Sequence, residues 1–153
     1  MKAKNFSLKD QDDNIKTLAD FKGSWLVLYF YPKDDTPSCT VEACSLRDTN
    51  DELIALGAQV VGISKDDQDS HRKFKAKHKL NFTLLSDPSG ETIENYGAWG
   101  PKMFGREGIL RKTFIINPEG EIVKTYGRVK SAGHGEQILR DLEQLQSSVP
   151  NEA

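Results

Sequence analysis

The chain has only two cysteines in 153 residues, Cys39 and Cys44. Two cannot cross-link a protein of this size, and so close together they would close a loop too small to add much stability by the chain-entropy argument, so a structural disulfide is the weaker reading. A large excess of either charge is missing as well: 21 Lys and Arg against 23 Asp and Glu leave a net value of −2 at pH 7, which gives no reason to expect nucleic acid as a partner. No apolar run approaches the ~20 residues needed to span a bilayer, and no membrane association is expected. Met1-Lys2-Ala3-Lys4-Asn5-Phe6 leads into polar sequence without a secretory apolar segment, so the expected compartment is the reducing cytoplasm. Cysteine pairs there tend to be catalytic or sensing. Internal repeats and low-complexity tracts are missing too.

What is present suits an ordinary soluble chain: 37% hydrophobic and 29% charged residues, with length enough for one domain over 1–153 to bury a core. Isolated apolar residues in 4–18 suggest a short hairpin around Asp10–Asn14. Trp25–Tyr31 is continuously apolar, the pattern of a strand covered on both faces. Pro37–Leu56 reads as a helix with Thr36 as N-cap, Pro37 at the first helical position and Gly57 as the stop. Gln59–Ser64 is a second buried strand, Asp67 to about Lys79 a basic amphipathic helix, and Phe82–Leu85 a third strand. A turn at Ser86–Gly90, a short helix Glu91–Tyr96 and a Gly-rich loop Gly97–Gly108 follow. Lys112–Ile116 and Glu121–Tyr126 flank Asn117-Pro118-Glu119-Gly120, a hairpin signal. Gly135–Ser147 closes the chain as an amphipathic helix. Strands alternating with helices, then an antiparallel hairpin and a last helix, predict a three-layer α/β/α domain with a central mixed sheet.

The chemistry concentrates at Cys39, where the apolar strand runs through a Pro/Asp loop into a helix. Amides at a helix start have no intrahelical partner and the macrodipole favours negative charge, so a thiol there is biased towards thiolate. With Thr36 as N-cap, Cys39 falls at the third helical position, where a capping box would place an acid. Thr36 and Glu42 lie three residues either side of Cys39 and share its helix face. The Thr36 hydroxyl can donate to the thiolate or to a bound oxygen, and Pro32 and Pro37 restrict the loop. A cation is also needed. Lys33 and Arg47 are the local ones; Arg111 is the better candidate, since its strand is expected beside Trp25–Tyr31, with Glu42 orienting the guanidinium towards Cys39.

Pro32-x-x-x-Thr36-x-x-Cys39 matches the active-site motif of the peroxiredoxins. The fuller string from Tyr31 to Asp48, with Glu42-Ala43-Cys44-Ser45 and Arg47-Asp48, resembles the peroxiredoxin Q branch, also called bacterioferritin comigratory protein. Gly108–Ile116 is similar to that branch's arginine strand, and the likeness runs from about Asn5 to Leu145. Ser38 departs from it, standing where the branch commonly carries Gly. The resemblance implies a thioredoxin-like fold and reduction of hydrogen peroxide or organic hydroperoxides: attack by the Cys39 thiolate, peroxide oxygens held by Thr36 and Arg111, a sulfenic acid, and its condensation with a second thiol. A cysteine five residues on commonly resolves in this branch, and Cys44 matches it. Thioredoxin or a similar dithiol would recycle the protein, and since the branch is often monomeric, a monomer is expected. On an intact helix, residues five apart have Cα atoms ~8.6 Å apart, whereas a disulfide needs ~7 Å or less. Joining Cys39 to Cys44 therefore requires Thr36 to about Arg47 to unwind.

A thioredoxin-type disulfide reductase is disfavoured, because it would use Cys-x-x-Cys. A peroxide sensor that passes its disulfide to a partner protein uses the same chemistry and stays open. No set of residues has metal-ligand spacing, and no cofactor is expected. His71 and His78 are expected on a solvated helix face together with the Lys/Arg residues of 71–79. Trp99, Pro101, Met103 and Phe104 either wall the peroxide site or pack over the core. His134 starts the last helix and receives no other role.

Overall fold

The computed structural model describes residues 1–147, with only the backbone described at Met103. Among the described residues nine strands form in chain order: β1 Ser7–Asp10, β2 Ile15–Thr17, β3 Trp25–Phe30, β4 Ala58–Ser64, β5 Thr83–Ser86, β6 Trp99–Pro101, β7 Glu107–Ile109, β8 Lys112–Ile116 and β9 Ile122–Tyr126. The helices are α1 Pro37–Ala55, α2 Gln68–His78, α3 Glu91–Asn95 and α4 His134–Ser147. Seven strands make one sheet in the order β2-β1-β5-β4-β3-β8-β9. β3, β4 and β5 run parallel, joined by helical crossovers, whereas β8 lies antiparallel to β3 and β1 antiparallel to β5. The sheet is mixed, as the alternation of segments predicts.

Why β3 reads as an unbroken apolar run is plain from its neighbours. Val27, Tyr29 and Tyr31 point into one core with Ala43, Leu46 and Leu53 of α1, Phe74 of α2, and Ile138 and Leu142 of α4. Leu26, Leu28 and Phe30 point into the other, with Val61, Ile63, Ile93, Phe114 and Ile116. Each large apolar side chain buried in this way contributes about 1.5–3 kcal/mol before the entropy of ordering it. Both faces are covered, so nothing on β3 can afford to be polar except the tyrosine hydroxyls.

The helix limits follow local chemistry. Asp67 caps α2, its carboxylate accepting from the Ser70 amide at 2.8 Å, and Gly57, with φ +82°, takes the left-handed turn after α1. The third strand is displaced by one residue from its expected span, and α4 begins at His134. One expectation is corrected: Gly97–Gly108 is not a plain loop, because β6 and β7 pair there as a hairpin, with Gly100 opposite Gly108. Two facing glycines carry no side chains to show alternation. Leu110 fills the space beside Gly100, and a Cβ on Gly100 would meet it at 3.0 Å.

Candidate active site

Tyr31 to Thr36 carry the chain from β3 over the carboxyl edge of the sheet into α1, where sites gather in open α/β folds. Thr36 holds the N-cap position with extended backbone, Pro37 follows as the first helical residue, and the Thr40 amide bonds the Thr36 carbonyl at 2.8 Å. Cys39 is thus the third helical residue. No side chain caps this end. The Thr36 hydroxyl donates to the Lys33 carbonyl at 2.9 Å, not to the sulfur, one of the two acceptors expected for it, the other being a bound oxygen. A hydroxyl has one proton but two lone pairs, so it retains acceptor capacity towards the site. Pro32 is half-buried at the start of the loop.

Strand register delivers the cation. β8 pairs β3 with Lys112 opposite Phe30, which puts Arg111 at the same edge as Cys39. Its Nη2 donates to Cys39 Sγ at 3.0 Å and its Nη1 to Glu42 Oε1 at 3.0 Å. The sulfur thus sits at a helix start against one arm of a guanidinium, whose other arm holds the Glu42 carboxyl. Both Cys39 and Glu42 are buried. Burial pushes the Glu42 carboxyl up to about 7, with Arg111 pulling the other way. Cys44 is half-exposed, and neither cysteine is in a disulfide.

Sequence reasoning missed the groups behind this triad. Glu42 Oε2 has no hydrogen-bond partner among the described residues, and His134 Nε2 lies 3.9 Å from it. His134 is buried, 2.9 Å from Thr113 Oγ1 and 3.2 Å from Gln137 Oε1, and desolvation holds it below its ordinary value. The Tyr29 phenol is buried beside them; burial above all, then the charges of Glu42 and Cys39, raise it well above its usual range. A Cβ on Gly62 of β4 would come within 2.8 Å of the Tyr29 ring, so the glycine lets that ring lie flat against the strand.

A second network anchors the loop. His71 is not on a solvated face: it is fully buried, its Nδ1 2.7 Å from Asp34 Oδ2 and its Nε2 3.0 Å from the Leu85 carbonyl. Asp34 also accepts from Tyr31 and Ser70, and its amide donates to Asp66 at 2.8 Å. Asp34, Asp66 and His71 are near enough together to suit an ion, but Asp34 Oδ2 already accepts from Ser70 and faces His71 Nδ1, and Asp66 Oδ2 accepts from the Asp34 amide and the Ser64 hydroxyl. The only signal for this network was an acid in the loop and a histidine one helical period before the apolar Phe74. His78, by contrast, does face outward, to Asp35 at 2.9 Å. From the β6–β7 hairpin, Trp99 packs under the Lys65 ammonium, 4.6 Å from the ring centroid, on the face away from α1. Phe104 is 90% exposed. Burial above all, then the charge of Arg111, lowers the Lys102 ammonium from its ordinary value, with Cys39 pulling the other way.

A buried cysteine at a helix start, held by an arginine that directly precedes the neighbouring strand of a thioredoxin-like sheet, defines a thiol-based oxidoreductase site. Residues 1–125 match the model of the AhpC/TSA family. The chain is 42% identical over 147 residues to peroxiredoxin Bcp of Bacillus subtilis, covering 94% of each chain, and 43% identical over 145 residues to peroxiredoxin Bcp of Escherichia coli, covering 93% of each. Among solved structures, Xanthomonas campestris bacterioferritin comigratory protein superposes with a TM-score of 0.87 at 36% identity, with 92% of this chain and 91% of that one covered. A variant of Xylella fastidiosa PrxQ gives 0.90 at 32%, with 95% and 97% covered. The chain belongs to the AhpC/TSA family, in its peroxiredoxin Q or bacterioferritin comigratory branch. It is accordingly a thiol peroxidase.

Proposed function

We propose that the protein reduces hydrogen peroxide and organic hydroperoxides with Cys39 as nucleophile and Cys44 as resolving thiol, and that thioredoxin or a similar dithiol protein restores it. The observation that carries this reading is the single guanidinium of Arg111 shared between Cys39 Sγ and Glu42 Oε1. The Cys39 thiolate attacks the terminal peroxide oxygen; the O–O bond breaks, and the leaving oxygen takes a proton to depart as water or alcohol. Arg111 is placed to stabilise the charge that builds there. Cys44 then attacks the sulfur of the Cys39 sulfenic acid, forming the S–S bond and releasing water. An external dithiol takes the disulfide over by exchange. Such a cycle suits a monomer in a reducing cytoplasm. Among the described residues no helix is long and apolar enough to cross a membrane.

Peroxide loss coupled to thioredoxin, its reductase and NADPH tests the reading. Cys39→Ser should abolish turnover. Cys44→Ser should give one fast turnover and a trapped sulfenic acid seen by intact mass. Sustained cycling of the Cys44 variant on thioredoxin would remove Cys44 from the resolving role, and one oxidising equivalent per wild-type chain would make the protein a sensor instead.

A further inference from the structure

Two adjacent acids of the loop before α1 are held in opposite ways. Asp34 is buried: its carboxylate accepts from the Tyr31 hydroxyl at 2.5 Å and the Ser70 hydroxyl at 2.8 Å and faces His71 Nδ1 at 2.7 Å, and its amide donates to Asp66 at 2.8 Å. The Asp35 carboxylate lies at the surface, divided between two residues at the end of α2. Its Oδ2 accepts from Lys77 Nζ at 2.7 Å and its Oδ1 lies 2.9 Å from His78 Nε2. The Asp35 backbone is left-handed, with φ +59°, a conformation that a residue with a Cβ keeps only where its surroundings enforce it. The next residue is Thr36, the N-cap of α1. The same end of α2 also holds α1 beyond the cysteines. The His78 carbonyl accepts from Arg47 Nη1 at 2.7 Å, and Asn81 Nδ2 donates to the Arg47 carbonyl at 3.2 Å. That end is itself firmly built: the Lys79 and Leu80 amides both bond the Lys75 carbonyl, and the His78 ring packs edge-on against buried Phe74, with 5.3 Å between centroids. Residues 36–46, both cysteines included, are thus a span fastened at either end, at Asp35 and at Arg47, to one post.

We propose that Asp35 is a positioning residue of the resolving step: its ion pairs with Lys77 and His78 form a latch that keeps the first turns of α1 wound, with Cys39 beside Arg111, and whose release lets 36–46 open so that Cys39 and Cys44 can meet. The proposal rests on the disulfide reading above. Opening begins at the latch because it is the weakest of the ties around the span. Water replaces an exposed ion pair at little cost, whereas the bonds of Asp34 are buried and stay intact. Once the carboxylate lets go, nothing in its side chain enforces the left-handed backbone, and Asp35 relaxes towards the extended region that a residue with a Cβ prefers. A change of that size in one dihedral reorients the chain that follows it, Thr36 and the first helical turn included. Asp35 therefore acts through the population of the open form. Disulfide formation proceeds at its intrinsic rate multiplied by the open fraction. Attack of the Cys39 thiolate on peroxide uses the closed form and is insensitive to the latch while that form predominates.

Two measurements test this, the first independent of whether Cys44 resolves. Amide exchange of the reduced protein reads the opening itself. Asp35→Ala removes the carboxylate and keeps the Cβ; amides across 38–46 should exchange about fivefold faster, while those of 49–55 and of β3 stay unchanged. Asp35→Asn, which tolerates the left-handed backbone and keeps one acceptor, should fall between the two. In the second measurement, quenched intact mass after one equivalent of H₂O₂ follows sulfenic acid and disulfide separately. Asp35→Ala should speed disulfide formation about fivefold and leave sulfenic acid formation within about twofold of wild type. Lys77→Met with His78→Gln should reproduce this gain, and should add nothing to it in the Asp35→Ala protein. Unchanged exchange across 38–46, exchange raised equally throughout the chain, or a disulfide that forms no faster than in wild type overturns the proposal. If no bond between Cys39 and Cys44 forms even in the wild type, the resolving role of Cys44 fails, whereas the exchange of the reduced protein still decides whether the latch exists.

Discussion

A guanidinium presents its donors in a fixed planar fork, and Arg111 directs that fork at two acceptors, Cys39 Sγ and Glu42 Oε1, each 3.0 Å away. An ammonium at the same place keeps the charge but not the geometry: it can approach one acceptor well and leaves the other turned away. Arg111→Lys should therefore lower the second-order rate of peroxide consumption by about 10²–10³, the range seen when one oriented donor is removed from an anion-stabilising site. Single-turnover stopped-flow kinetics read this directly, with far-ultraviolet circular dichroism as the check on folding. A loss of less than about threefold would show that positive charge alone is sufficient and that the fork does nothing special.

At the scale of elements, the proposed Cys39–Cys44 disulfide asks α1 to be stable enough to hold Cys39 beside Arg111 and weak enough to open. Its contacts are distributed accordingly. The C-terminal half packs Leu53 into the core, and from it Asn50 Nδ2 donates to the Asn81 carbonyl at 3.0 Å. The first two turns bury Cys39, Glu42 and Ala43 but have an uncapped start and leave Val41 exposed. Amides across 38–46 should then exchange with solvent faster in the disulfide form than in the reduced form, while those of 49–55 change little; equal protection in both forms would mean that no unwinding occurs. Thr36-Pro37 and Gly57 make this helix readable from sequence at both ends, and the apolar run of β3 with the hairpin at Asn117–Gly120 makes Arg111 readable through strand register. Other parts are hidden for physical reasons. Facing glycines conceal β6 and β7, and His71 sits among basic neighbours, so only the tertiary contact with Asp34 shows that it is buried. The unpartnered Glu42 oxygen and His134 come together from residues 92 positions apart, a proximity that no local pattern encodes.

Across the whole molecule, Glu42 links the state of the fold to pH. Burial raises its carboxyl from an ordinary 4.5 to about 7. Between those values the folded chain keeps a proton that the unfolded chain has released, so the fold binds more protons and its stability must fall as pH rises through the window, levelling off above it. A shift of that size sets an upper limit of about 3 kcal/mol. His134, lowered by desolvation, acts in the opposite sense, and Asp87, raised by burial, acts in the same sense, so the wild-type profile alone does not isolate Glu42. The difference between wild type and Glu42→Gln does, because the other groups are common to both. Urea midpoints of the reduced proteins at pH 5 and pH 8 should show the wild type losing stability relative to the variant by up to about 3 kcal/mol. In the proposed disulfide form the turn carrying Glu42 should open to water, and that difference should then shrink towards zero, because the carboxyl would have nearly the same surroundings folded and unfolded. Parallel profiles for the reduced wild type and variant would show that Glu42 is ionised throughout, held by Arg111 despite its burial.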